Sequence, residues 1–193
     1  MDMKLRRDMH LAYVADEAVM AEQIKCRKIL QKLNFADRSD FAGIAEIVKE
    51  LLGKSDDAWI NPPFYCDYGF NISIGKNFYT NHNVTILDGA KVTFGDNVFI
   101  APNCVFSTAG HAIDSEQRSR GLEIALPITV GDNVWIGTNV SVLPGVTIGN
   151  NTIIGAGSVV NKNIPEGVIA AGNPCKVIRK ITEEDKKKYP VWE

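Results

Sequence analysis

From Val130 onward every sixth residue is a branched aliphatic: Val130, Ile136, Val142, Ile148, Ile154 and Val160. Four of them precede a glycine (Gly131, Gly137, Gly149, Gly155), and the fifth position of each hexad, from Val134 to Ser158 and Ile164, is β-branched or small. The register runs back through Phe94, Ile100 and Phe106. An earlier block, Ile74, Thr80 and Ile86, keeps the period but is offset by two residues, which implies a short insertion between about Asp88 and Val92.

A period of six is neither that of a helix, about 3.6, nor that of a plain strand, about 2. It matches the repeat of a β-helix, in which each short strand turns one aliphatic residue inward and the chain bends between strands. The bends need residues that tolerate positive φ, and Gly95-Asp96-Asn97, Gly131-Asp132-Asn133 and Gly149-Asn150-Asn151 supply them. A β-sandwich would alternate at period two, with turn signals about every 8–12 residues. Nine hexads in one phase weigh against it. The expected fold class is mainly β, a parallel β-helix of hexapeptide repeats.

Two stretches depart from this pattern. Residues 108–126 (TAGHAIDSEQRSRGLEIAL) are largely polar and interrupt the coil without shifting its register. They read as an extruded loop, and long loops on rigid scaffolds are usually functional. Residues 1–59 hold no glycine before Gly43, and Phe41, Ile44, Ile47, Val48, Leu51 and Leu52 recur at helical spacing. Ser39 or Asp40 is placed to cap that helix and Gly53 to end it. The Gly- and Pro-free stretch 8–33 reads as one longer helix. Two such helices cannot bury their apolar faces alone and should dock on something larger. The expected organisation is a helical segment 1–59, a β-helix domain 60–181 carrying the loop, and a tail 182–193.

The chain has 21 Lys and Arg against 23 Asp and Glu, a formal charge of −2. That balance argues against a nucleic-acid surface, which needs a basic excess. It is unevenly spread: residues 162–180 hold Lys162, Lys176, Arg179 and Lys180 against Glu166 alone, enough for a phosphate site. Cys26, Cys66, Cys104 and Cys175 lie far apart with no C-x-x-C pair, so neither a disulfide scaffold nor a zinc site is expected. Nothing resembles a signal peptide or a membrane span, and a cytoplasmic protein is expected.

The stretches NPPFYCDYGFNISIGKNFYTNHNVTILD (61–88), IAPNCVFSTAGHAID (100–114) and PITVGDNVWIGTNVSVLPGVTIGNNTIIGAGSVVNKNIPEGVIAAGNPCKVIRKI (127–181) resemble the maltose and galactoside O-acetyltransferases. The helical segment is similar to the short N-terminal domain that accompanies them. The resemblance implies a left-handed parallel β-helix enzyme that uses acetyl-CoA, acts on a sugar and needs no metal. It also implies a cyclic homotrimer with active sites between subunits. Cys66-Asp67-Tyr68-Gly69 looks closer to the maltose branch, and Gly89 stands where galactoside-type relatives can carry an acid.

An alcohol is a poor nucleophile at neutral pH, so its attack on a thioester needs a base. A neutral imidazole, with an ordinary pKa near ~6.5, suits that role. Of His10, His82 and His111, the resemblance assigns it to His111 in the loop, while His82 reads as an exposed turn residue. No Cys or Ser has an evident activating partner, so direct attack in a ternary complex is expected. On the acceptor side the resemblance points to Asp67, Tyr79, Asn81 and Asp88, with Asp16 from the helical segment; Glu123 could orient the base or bind substrate. On the acetyl-CoA side it implies Trp135, the backbone N–H of Thr138 facing the oxyanion, and Ala156 against the pantetheine arm. Asn161, Lys162, Lys176 and Arg179 would lie near the nucleotide phosphates. Three other readings stay open: the same scaffold acting on another acceptor (a galactoside, glycan, antibiotic or amine), a zinc carbonic anhydrase and a non-enzymatic scaffold. The two histidines of the repeat region are too few for a three-imidazole zinc site.

Overall fold

The computed structural model describes residues 2–55 and 57–189. Its strands wind three to a coil, so that stacked coils build a prism with three walls. The first wall stacks Lys54–Ser55, Ile72–Ile74, Val92–Phe94, Ile128–Val130 and Thr147–Ile148. The second stacks Ala58–Ile60, Phe78–Thr80, Phe99–Ile100, Trp135–Ile136, Ile153–Ile154 and Val168–Ala171, with Lys176–Lys180 added antiparallel at its end. The third stacks Phe64–Cys66, Val84–Leu87, Val105–Ser107, Ser141–Val142 and Val159–Val160. This is a left-handed β-helix of about six turns.

The hexad ladder becomes three inward columns. Val130 pairs with Phe94 and Ile148, Ile136 with Ile100 and Ile154, and Val142 with Phe106 and Val160. None of these nine exceeds 2% exposure, so each strand contributes one apolar side chain to a continuous dry core. Between Val84–Leu87 and Val92–Phe94 the chain takes Asp88, Gly89, Ala90 and Lys91 to turn from the third wall back to the first, which is the predicted two-residue insertion. At the corner between the first and second walls, Asn77, Asn97, Asn133 and Asn151 all hold φ of 52–56°. Their side-chain amides form a ladder, each Nδ2 donating to the next Oδ1 at 2.9, 2.9 and 3.0 Å.

The N-terminal helices are α1 (Met3–Asp8), α2 (Glu17–Asn34) and α3 (Phe41–Leu51). The single helix expected over 8–33 is therefore broken. Residues 9–16 leave the helix because Tyr13 pairs with another strand and Asp16 caps α2, accepting from the Val19 N–H at 3.0 Å. The α3 cap is Asp40, as expected. Gly53 does not act as a left-handed stop; its backbone runs so close to Phe70 that a Cβ would sit 2.1 Å from that carbonyl oxygen. Strand pairing begins directly after it, at Lys54.

Cys26, Ile29, Leu30 and Leu33 of α2 and Ile44, Val48 and Leu51 of α3 join the same core as the coil. The Asn34 amide donates to the Phe64 carbonyl and accepts from its N–H, both at 2.9 Å. The helices thus close the end of the third wall, whose edge would otherwise present unpaired backbone groups.

Candidate active site

The loop after the third wall is a hairpin. Ala109–His111 pairs antiparallel with Glu123–Ala125, and a short helix α4 (Ser115–Ser119), capped by Asp114, forms its tip. The register sets His111 directly opposite Glu123. Glu123 in turn exchanges both backbone hydrogen bonds with Tyr13, at 3.0 and 2.9 Å, so the N-terminal connection adds a third strand. Because Ala125 is fully buried while Ile124 is exposed, the face that Glu123 shares with Ala125 turns toward the coil, and His111 stands exposed at its margin.

Beneath this hairpin, at the corner between the third and first walls, lie Asp67 and Asp88. Asp88 is fully buried; its Oδ1 accepts from the N–H groups of Asp67 and Tyr68, both at 2.9 Å, and its Oδ2 meets no donor among the described residues. Burial pushes the Asp88 carboxyl above its ordinary range, against those two N–H groups. Asp67 is pushed up to about 6, first by burial and then by the charges of Asp88 and Glu123. Asp67, Asp88, Glu123 and His111 therefore share one corner. Asp16, exposed, follows the Tyr13 connection and caps α2.

Most of the remaining expected residues stand elsewhere. Asn81 follows Phe78–Thr80 and occupies the corner between the second and third walls. A strand of four residues, roughly 13 Å at ~3.3 Å each, separates it from the Asp88 corner. Its Oδ1 accepts from the His82 N–H at 2.7 Å, and the exposed His82 ring sets Nδ1 2.7 Å from the Pro62 carbonyl oxygen. Thr138 and Ala156 share the Asn81 corner. Their N–H groups meet no acceptor among the described residues, while the Thr138 hydroxyl is spent on the Pro102 carbonyl at 2.9 Å. Gly157, at φ +72°, leaves this corner open, since a Cβ there would meet nothing within 4 Å.

Tyr79 and Trp135 point outward from the second wall, so Tyr79 lies neither in the core nor beside Asp67. The register aligns Trp59, Tyr79, Phe99, Trp135, Ile153 and Ile169 in one column, a row that sequence reading missed. The signal was present: each precedes an inward residue by one position. Lys176 pairs with Ala171 at the end of this wall, and Arg179 with Ile169. The Arg179 guanidinium is held bidentately by Asp185 at 2.6 and 2.8 Å. Asn161 and Lys162 follow Val159–Val160 and stand, exposed, at the His111 corner. Among the described residues no group of three His, Cys, Asp or Glu could hold a metal ion, and no helix is long and apolar enough to cross a membrane.

Residues 127–162 match the family model "Bacterial transferase hexapeptide (six repeats)", which sets the class. The whole chain is more particular. It is 62% identical over 157 residues to the protein YJL218W of Saccharomyces cerevisiae, covering 81% of this chain and 80% of that one. It is 45% identical over 174 residues to the galactoside O-acetyltransferase of Escherichia coli, covering 90% and 86%. Among solved structures it superposes on a maltose O-acetyltransferase from Clostridium difficile 630 with a TM-score of 0.93, at 41% identity, covering 95% of this chain and 99% of that one. It superposes on a galactoside acetyltransferase in complex with coenzyme A with a TM-score of 0.95, at 42% identity over the full length of both. A hexapeptide-repeat acetyltransferase from Vibrio cholerae, complexed with acetyl-CoA, gives 0.88 at 32% identity, covering 95% and 100%. The chain belongs to the maltose and galactoside O-acetyltransferase family.

Proposed function

We propose that the protein transfers an acetyl group from acetyl-CoA to a hydroxyl of a maltose- or glucose-like sugar, by direct attack in a ternary complex. The observation that carries this is the pairing of His111 with Glu123 on a hairpin fixed over the Asp67–Asp88 corner. The His111 imidazole accepts the hydroxyl proton as the sugar oxygen attacks the thioester carbonyl, and Glu123 beside it orients the ring. Asp67 and Asp88 offer acceptors for neighbouring sugar hydroxyls. The oxyanion takes its hydrogen bond from the Thr138 N–H; collapse then expels the CoA thiolate, which recovers the proton from the imidazolium. A Cβ at Gly89 would lie 3.2 Å from Ala125 Cβ and 3.4 Å from the Tyr13 hydroxyl, which leaves little room for the acid of galactoside-type relatives and favours a maltose-like acceptor.

One copy does not assemble this chemistry, because His111 and Thr138 stand at different corners of the prism. We therefore infer a cyclic trimer. One subunit brings Asp67, Asp88, His111, Glu123, Asn161 and Lys162, while its neighbour brings Asn81, Trp135, Thr138, Ala156, Lys176 and Arg179. The outward aromatic column of the second wall fits an interface, with Trp59, Phe99 and Trp135 each 42–53% exposed. The acceptor is tested by thiol release from acetyl-CoA with maltose, glucose, a thiogalactoside and an amino sugar. The highest kcat/KM is expected with maltose or glucose. Faster turnover of the amine or the galactoside would overturn the acceptor assignment.

A further inference from the structure

We infer that Tyr13 is a positioning residue for acetyl transfer, its phenol holding the Glu123 carboxylate beside the His111 imidazole; this rests on His111 acting as the base. Tyr13 and Glu123 form a hydrogen-bonded antiparallel pair, each N–H donating to the other's carbonyl. Both backbone groups of Glu123 thus point to Tyr13, and its opposite edge faces His111 as the closer, non-hydrogen-bonded kind of pair. Residues directly opposite project on one face, so Tyr13, Glu123 and His111 form a row with the carboxylate in the middle. The end of the row is rigid. Tyr13 is only 2% exposed, and its ring packs with Val19, Tyr68, Ala90 and Ala125, its hydroxyl lying over Gly89.

The surroundings keep the phenol a proton donor. Burial raises its ionisation far above the ordinary range, and the nearby Glu123 carboxylate raises it further. Tyr68 also faces it, and Arg7, which opposes the shift, is engaged by Glu22 and Asp8. Glu123 is faced in turn by Asp67 on the coil, a like charge that would push the carboxylate aside unless something held it. Nothing in the sequence marks this link, because it joins a connection between two helices to a loop over a hundred residues away.

The test is a double-mutant cycle, with kcat and the KM for acetyl-CoA measured on the fastest sugar of the acceptor panel and sites counted by CoA titration. Tyr13→Phe keeps the ring and the backbone pair and removes only the hydroxyl. It should lower kcat about tenfold, the size of one hydrogen bond to a charged group, with little change in the KM for acetyl-CoA. In a Glu123→Gln background the same change should cost almost nothing further. Unchanged kcat in Tyr13→Phe overturns the inference, and so does a loss of equal size in both backgrounds. If His111→Ala retains the wild-type rate, the base assignment fails and takes this inference with it. If His111→Ala is inactive while Tyr13→Phe is not impaired, this inference fails alone.

Discussion

Asp67 occupies a place where a carboxylate ionises with difficulty, and this has a measurable effect on stability. Its unfolded pKa is near ~3.9, while burial and the charges of Asp88 and Glu123 put the folded value at about 6. Between these values the folded chain holds a proton that the unfolded chain has released. The contribution of this group therefore weakens stability as pH rises through that window, and the full penalty is present above it. Asp67→Asn removes the effect. Thermal melts should show this variant gaining on the wild type between about pH 4 and pH 6; a constant difference across that range would mean that Asp67 is not strained. The position of Asp67 was legible through the family resemblance, but its strain was not, since that depends on Asp88 and Glu123 arriving from other coils. Tyr13 was not legible at all. The cap that Asp16 places on α2 was open to reading from an Asp ahead of a helix, beside the acceptor contact that the resemblance implies.

The hexads were legible because each strand shows one inward residue at a fixed interval, and lateral pairing of the coils needs nothing more. The two-residue insertion at 88–91 could be dated from the same arithmetic. The break between α1 and α2 could not, because no Gly or Pro marks it; the backbone hydrogen bonds that residues 9–16 forgo are replaced by pairing with Glu123. The asparagine corner shows what the turns contribute. Asn133 holds φ of 56°, donates to Asn151 and accepts from Asn97. Asn133→Ala should lose about 2–3 kcal/mol in urea unfolding, combining left-handed backbone strain with two amide hydrogen bonds. A loss near zero would show that the ladder is decorative. At the other end of the chain, Asp185 (on the 3-10 turn Glu183–Lys187) occupies Arg179. Asp185→Ala should free the guanidinium for phosphates and lower the KM for acetyl-CoA about two- to threefold, an exposed pair being weak; an unchanged KM would remove Arg179 from the nucleotide site.

At the scale of the whole molecule, the prism and its N-terminal cap were legible from periodicity and composition. A site shared between subunits came only from the family resemblance, since a period of six says nothing about which wall meets a second copy. On the proposed sharing of the site, assembly is a condition of activity. Phe99→Glu places a charge in the middle of the aromatic column; sedimentation should then show monomers where the wild type is a trimer, with acetyl transfer lost in parallel. A monomeric wild type that is fully active would contradict the shared site. Whether His111 is the base of an acetyl-CoA-dependent transfer is decided by steady-state thiol release with His111→Ala, alongside calorimetric titration of CoA. A fall in kcat of about 10²–10⁴-fold, the usual worth of a general base, is expected with CoA affinity unchanged. A variant that keeps its rate within a few-fold of the wild type would contradict it.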